Sequence, residues 1–229
     1  MIGIIGAMEE EVAEIKAIMN VEEELEDHGY LFYKGTINKK TVVLLQGGIG
    51  KVNAAIATTL LFQNFPIEFV INVGSAGGLN MSQNVGDVVI SSSVVHHDVD
   101  VTAFQRELGE VPGMPKYFKA DEVLLDTVKQ ILTEQNLTAH VGLIASGDQF
   151  VGRQDQVDYI RSHFQDAMCV EMEAAAIAQV CYVFNKKFII TRSLSDIFNK
   201  GENDIQFDEY LKKASKASAK MCYELITRL

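Results

Sequence analysis

Taken only as apolar and polar positions, the chain alternates between two periods. Short apolar or alternating runs cover residues 2–5, 30–36, 41–46, 69–73, 87–95, 141–145, 168–170 and 188–192, and they predict strands. Between them, apolar residues recur every three or four positions over 8–20, 51–65, 121–135, 154–164, 173–184 and 207–229, which predicts helices. Strand–helix alternation of this kind predicts an α/β domain on a mixed, mostly parallel sheet flanked by helices. Residues 30–46 read as a hairpin turning at Asn38-Lys39-Lys40. With no linker, repeat or low-complexity segment, residues 1–229 read as one domain. The longest stretch without clear periodicity is 98–119, which holds Gly109, Pro112, Gly113 and Pro115. A connection of that length in a compact domain is expected to be either functional or disordered, which makes it the place to look for a lid or an interface.

Composition narrows the function classes. Hydrophobic residues make up 48% of the 229, enough for a large core. The net charge is −11 and no basic run stands out, which argues against a nucleic-acid backbone or an anionic membrane as partner. Cys169, Cys181 and Cys222 are far apart and odd in number, matching neither a disulfide framework nor a zinc site. No apolar run approaches the ~18 residues of a membrane span, and no basic leader precedes the first strand, so the expected location is the cytoplasm.

Candidate chemistry gathers at the ends of predicted strands. In the first helix, Met8, Val12, Ile15 and Met19 form an apolar stripe with Glu11 on its edge. Glu9 and Glu10 read as ordinary first-turn acids meeting the helix dipole; Glu11 is expected to point inward. Two small-residue loops follow strands, Gly47-Gly48-Ile49-Gly50 and Gly74-Ser75-Ala76-Gly77-Gly78. Each reads either as a tight turn or as backbone brought close to a ligand, in the crevice where open α/β sheets bind small molecules. Glu171-Met172-Glu173 either caps the helix after it or reaches that crevice, and Asp196 and Asp148 read either as turn aspartates or as working acids. Glu11, Glu173 and Asp196 are thus expected at three strand-to-helix junctions of one sheet, a set suited to acid–base hydrolysis. His96-His97 lacks a third ligand at metal spacing and reads as structural.

In order along the chain, several short motifs resemble one family. They are Ile2-Gly3-Ile4-Ile5-Gly6-Ala7-Met8-Glu9-Glu10-Glu11, Gly48-Ile49-Gly50-Lys51-Val52, Gly74-Ser75-Ala76-Gly77-Gly78, Asp98-Val99-Asp100-Val101-Thr102-Ala103-Phe104, Ser146-Gly147-Asp148, Val170-Glu171-Met172-Glu173-Ala174 and Ser195-Asp196. Together they resemble the bacterial methylthioadenosine/S-adenosylhomocysteine nucleosidases over essentially the whole chain. The resemblance implies the nucleoside phosphorylase/hydrolase fold with a partly barrel-like sheet, a role in methionine salvage, no metal, no cofactor, and a homodimer. It implies that Glu11 activates water, Asp196 protonates adenine N7 and Glu173 holds the ribose hydroxyls beside the Met172 backbone. Arg192 and Ser75 would help position the water, Phe150 would stack on the base, and the Val151 backbone would read the base edge. Met8, Ile49 and Phe207 would line the ribose and alkylthio regions, with Gly77, Glu171 and Ser195 also in the substrate-binding set. Val101, Phe104 and Pro112 would reach the site from a second subunit. The sequence departs from the family at Arg192-Ser193-Leu194-Ser195-Asp196, where Arg-Ala-Ile-Ser-Asp is commoner, and at Ile197-Phe198-Asn199 after it.

Breaking a C1′–N9 bond leaves an electron-rich base and a cationic sugar. The acid therefore has to hold a proton, which a dry pocket and the neighbouring Ser195 hydroxyl are expected to favour, while a separate carboxylate stays ionised for water. The rival readings are a nucleoside phosphorylase on the same fold and a non-catalytic nucleoside sensor. A phosphorylase needs cationic groups around its anion, and neither glycine loop carries an Arg.

Overall fold

The architecture follows from one strand with no polar side. In a computed structural model that describes residues 1–198, 200 and 203–229, though not the side chains of 203–209 and 212, β1 (Ile2–Gly6) is buried along its whole length. It lies parallel between β4 (Lys40–Gln46) and β5 (Phe69–Asn72), so both faces and both edges are covered and its sequence shows no alternation. Among the described residues eleven strands share one sheet in the order β2-β3-β4-β1-β5-β11-β6-β10-β9-β7-β8. The others are β2 (Asn20–Asp27), β3 (Tyr30–Ile37), β6 (Ser75–Gly78), β7 (Val88–His96), β8 (Phe118–Lys119), β9 (Ala139–Ser146), β10 (Ala167–Glu171) and β11 (Lys187–Ile197). Parallel and antiparallel pairings mix, six to five.

The seam of the sheet is β11. Its first half, Lys187 to Ile190, pairs in parallel with β5, and its second half, Ser193 to Ile197, pairs in parallel with β6. Between them, Thr191 to Ser193 pair antiparallel with β7. Because β6 joins β10, β10 joins β9 and β9 joins β7, this half closes on itself. The expected partly barrel-like sheet is therefore present, and β11 is the strand that closes it.

Helices α1 (Glu9–Lys16), α2 (Lys51–Asn64), α3 (Glu122–Glu134), α4 (Gln154–His163), α5 (Ala174–Val183) and α6 (Asn203–Arg228) cover the sheet. Asp121 caps α3 by accepting from the N–H groups of Val123 and Leu124, both at 3.1 Å. On α6, Leu211, Ala214, Met221, Cys222 and Leu225 are buried at helical spacing. A second, smaller apolar cluster of Leu79, Val95, Leu143, Val157, Ile160 and Phe164 seats α4.

Several expectations need correction. The helix predicted over 8–20 stops at Lys16, because Ile18 and Met19 bond back three residues and turn the chain into β2. β2 itself gives no apolar signal: Glu22, Glu23, Glu24 and Glu26 stud a solvent-facing edge strand, where charge discourages pairing with other chains. The hairpin 30–46 is therefore the second half of a three-stranded meander. Its turn is the pair Asn38-Lys39, both at positive φ, while Lys40 already pairs with Ile37. Gly74-Ser75-Ala76-Gly77-Gly78, expected as a loop, supplies strand β6. The stretch 98–119 contains a short 3-10 turn, Thr102–Phe104, and ends in β8.

Ile4 is fully buried at the centre of β1. Ile4→Ala is expected to lower unfolding stability by about 2–5 kcal/mol, read as a lower denaturant midpoint at unchanged slope.

Candidate active site

A cavity of about 240 Å³ opens where the two halves of the sheet meet, lined by residues of β6, β10, β11 and the first helix and of the segments that follow β1, β4, β5, β9 and β10. That is the scale of a small molecule rather than of a polymer segment. Its ionisable lining groups are Glu11, Glu171, Glu173, Arg192 and Asp196, all at most 8% exposed. The sheet thus brings together the three acidic residues singled out in the sequence.

Glu11 is the third residue of α1, and the hydrogen bonds that start that helix also aim its carboxylate. Oε2 accepts from the N–H groups of Ala7 at 2.8 Å and Met8 at 3.2 Å, while Oε1 accepts from Ser75 N–H at 3.2 Å. Glu11 therefore points inward as expected and also caps the start of its own helix. Burial pushes its carboxyl above the ordinary carboxylate value, opposed by the Arg192 charge and the three N–H groups. Gly74 makes room for it. A Cβ there would lie 3.0 Å from Glu11 Oε1 and 3.3 Å from Arg192 Nη1.

Glu173 stands at the N-cap of α5, yet its side chain does not cap the helix. Glu171 Oε2 takes the N–H groups of Glu173 (3.1 Å) and Ala174 (2.8 Å), and Ser146 Oγ takes that of Ala175 (2.8 Å). The Glu173 carboxylate is left to cross the cavity, where Oε1 accepts from Gly50 N–H at 2.9 Å. Gly50 offers that N–H from φ +94, a conformation side chains rarely adopt. Burial, then the Glu171 charge, push the Glu173 carboxyl up to about 7.

Asp196 does not sit at a strand-to-helix junction as expected; it lies within β11, beside Gly77, where a Cβ would lie 3.2 Å from its Oδ2. Burial raises its carboxyl above the ordinary value. The Ser195 hydroxyl, 2.8 Å from Oδ1, works against that shift rather than for it, because a donated O–H favours the ionised form. When Asp196 carries the proton, the same pair can run in reverse. The acid then donates to Ser195 Oγ, and that hydroxyl donates to the Ala76 carbonyl 3.3 Å away.

Arg192, also within β11, is 1% exposed. Nη2 donates to Asn72 Oδ1 at 2.7 Å and to Glu171 Oε2 at 2.6 Å, and Nη1 to the Thr191 carbonyl at 3.1 Å. Glu171 Oε1 accepts from the Ser146 hydroxyl. Glu171 lines the cavity, but both its oxygens are engaged by the protein.

The remaining sequence candidates divide. Met8, Ile49, Ser75, Gly77, Phe150, Val151, Met172 and Ser195 line the cavity, with Phe150 and Ile49 more than half exposed at its mouth and Val151 buried. Val101, Phe104 and Pro112 are not among its lining residues, and Phe104 is 80% exposed. The Phe207 side chain and Asn199 lie outside the described residues. Asp148 ties loops together, accepting from Lys51 N–H at 2.7 Å. His96 bonds Gln179 at 2.9 Å, as a structural histidine should, whereas His97 is buried against Gly147 with neither ring nitrogen partnered. Asn72 and Gln149 were not singled out in the sequence, and Ser146 was noted only within the motif Ser146-Gly147-Asp148. An Asn at the end of the buried apolar run 69–73 is the signal that would have found the first.

The chain's relatives share this arrangement of elements. A family described as the phosphorylase superfamily matches residues 1–227. The 5′-methylthioadenosine/S-adenosylhomocysteine nucleosidase of Oceanobacillus iheyensis is 48% identical over 228 residues, covering 100% of this chain and 99% of the relative. The protein of the same name from Staphylococcus haemolyticus is 50% identical over 226 residues, covering 99% of each. Among solved structures, the Neisseria meningitidis nucleosidase of that name, in complex with methylthio-immucillin-A, is similar with a TM-score of 0.95 at 43% identity, covering 100% of this chain and 99% of that one. Futalosine hydrolase of Helicobacter pylori strain 26695 gives 0.93 at 35% identity, covering 100% and 97%. Among the described residues, no helix is long and apolar enough to cross a membrane.

The raised Glu173 carboxyl carries a stability prediction. A folded value of about 7 against an ordinary 4.5 means that the folded protein loses stability as pH rises between those values. Glu173→Gln removes that penalty, so its melting temperature should exceed the parent's at pH 8 by on the order of 5 °C, with the gain vanishing below about pH 4.5. Thermal melts of both proteins across that window check it.

Proposed function

The chain belongs to the phosphorylase superfamily and, within it, to the 5′-methylthioadenosine/S-adenosylhomocysteine nucleosidase family, and on that premise we propose that it hydrolyses the N-glycosidic bond of those two nucleosides. The products are adenine and the 5′-substituted ribose, and the reaction proceeds in the cytoplasm. One observation carries the reading. Two buried carboxyl groups, Glu11 beside Gly74 and Asp196 beside Gly77, border one cavity from opposite ends of a four-residue stretch. Three residues of extended chain span roughly 10 Å, room for a ribose and its scissile bond between base and acid.

Glu11 accepts a proton from water as its oxygen attacks C1′. The C1′–N9 bond breaks with its electron pair passing to the base, and the proton of Asp196 goes to N7. Adenine thus leaves neutral. Glu173, held by Gly50 N–H, takes the ribose hydroxyls and offsets positive charge growing on the sugar. Phe150 at the mouth stacks on adenine and the Val151 backbone reads its edge. Phosphorolysis fits less well, because the one cation that lines the cavity among the described residues, Arg192, already holds Glu171 and Asn72.

Adenine release from 5′-methylthioadenosine is expected without added phosphate. Glu11→Gln and Asp196→Asn should each lower kcat by on the order of 10² or more in a folded protein. The pH profile follows from the burial of both groups. The acid limb, where Glu11 must lose its proton, should lie above the ordinary carboxylate value, and the loss at higher pH should follow Asp196 deprotonation. A requirement for phosphate with a sugar phosphate as product would overturn the hydrolase reading. So would near-parental turnover in Glu11→Gln.

The working unit is a homodimer with shared sites. Val101, Phe104 and Pro112 stand away from their own cavity, and exposed apolar residues such as Phe104 call for a cover. Two-fold pairing would carry Phe104 to the neighbour's cavity mouth. Co-refolded Phe104→Ala and Asp196→Asn proteins should then regain activity that neither shows alone, since one site of the mixed dimer keeps both residues. Demonstrated heterodimers as inactive as their parents would rule the shared site out.

A further inference from the structure

Arg192 lies within the field of three carboxylates, Glu171, Glu173 and Glu11, and forms its ion pair with Glu171 alone. Its Nη1 and Glu11 Oε1 crowd the same point beside Gly74, at 3.3 and 3.0 Å from it. Yet its ion pair, at 2.6 Å, is with Glu171, through the other terminal nitrogen, Nη2. Three further contacts fix that choice. Asn72 Oδ1 takes Nη2 at 2.7 Å, and Asn72 is itself anchored by donating to the Ile5 carbonyl at 2.9 Å. The Thr191 carbonyl takes Nη1. Ser146 donates to the other Glu171 oxygen while its own Oγ accepts from Ala175, so Glu171 cannot follow the guanidinium elsewhere.

We propose that Glu171 is a positioning residue for catalysis: as the counter-ion of Arg192 it holds the guanidinium off Glu11 and leaves the general base without an ionic partner. The proposal rests on the hydrolase reading above, in which Glu11 takes the proton from water. A carboxylate paired directly with a guanidinium in a dry cavity binds protons weakly, and a weak base activates water poorly. The ionisable groups facing Glu11 are Arg192 from β11 and Glu173 from the start of α5, with Glu171 from β10 behind Arg192. The remaining partners of Glu11 are the N–H groups of Ala7, Met8 and Ser75. Arg192 is the only cation in this set, so where it points bears on how basic Glu11 is, beside the larger effect of burial. Burial raises Glu11 and Arg192 opposes it, so bringing Arg192 closer deepens the opposition.

Glu171→Gln tests this, because the amide oxygen can still accept the α5 N–H groups while the charge is gone. The readout is the pH dependence of single-turnover adenine release from 5′-methylthioadenosine, with KM followed in parallel. The expected result is an acid limb moved to lower pH, a plateau rate down roughly ten- to a hundredfold, and KM changed far less. Ser146→Ala keeps every charge and loosens only the grip on Glu171, and should move the limb in the same direction by less. It serves if Glu171→Gln fails to fold, which a thermal melt reveals. A limb that stays at the parental pH in the folded variants, or moves upward, overturns the proposal and makes Glu171 a structural cap. Failure of the hydrolase reading looks different: the parent would release no adenine, or Glu11→Gln would leave the acid limb in place.

Discussion

A single buried ion pair holds the centre of this molecule together. Arg192 from β11 meets Glu171 from β10 in a space closed to water, with Asn72 from β5 and Ser146 from β9 completing the set. Neither charge would survive alone there, since each costs several kcal/mol to bury and is repaid only by a well-bonded partner. Four strands and the first turn of α5 are therefore registered on one pair of atoms. The same pair engages the Arg192 cation that lines the cavity, leaving it less free to hold an anion.

At two helix starts, the capping bonds decide which carboxylate faces the cavity. At α1, the N–H groups of Ala7 and Met8 need an acceptor, and the carboxylate that supplies it is thereby aimed at the cavity. At α5 the division of labour is reversed, because Glu171 and Ser146 satisfy the N–H groups and Glu173 is released toward Gly50. An acid near a helix start thus admits two readings from sequence, and here one of two neighbouring glutamates takes each role.

The sequence discloses the frame better than the seam. β1, β4, β5 and the helices are legible because burial on one side or on all sides leaves a clear period. Glu11 is legible because Val12 and Ile15 flank it on the apolar stripe. β11 is read too short, since Arg192, Ser193, Ser195 and Asp196 look like the polar end of a strand, whereas they are strand residues facing a cavity and a small barrel. β6 reads as a loop because Ser-Ala-Gly-Gly has no strand preference, and only its pairing with β10 and β11 extends it. β2 hides behind its glutamates. In each case tertiary pairing outweighs local preference, and a single chain does not display its pairings.

The three-way pairing of β11 also bears on how the protein comes into being. Its partners β5, β6 and β7 all lie more than ninety residues earlier, so the cavity cannot close until β11 itself has left the ribosome. Until then β5, β6 and β7 each have an unfilled ladder, and β5 among them is nearly all apolar. Contacts so distant in sequence carry a high loop-closure cost and set a slow folding step. Insertion of β11 is thus both the event that assembles the site and the one that ends the chain's exposure to aggregation.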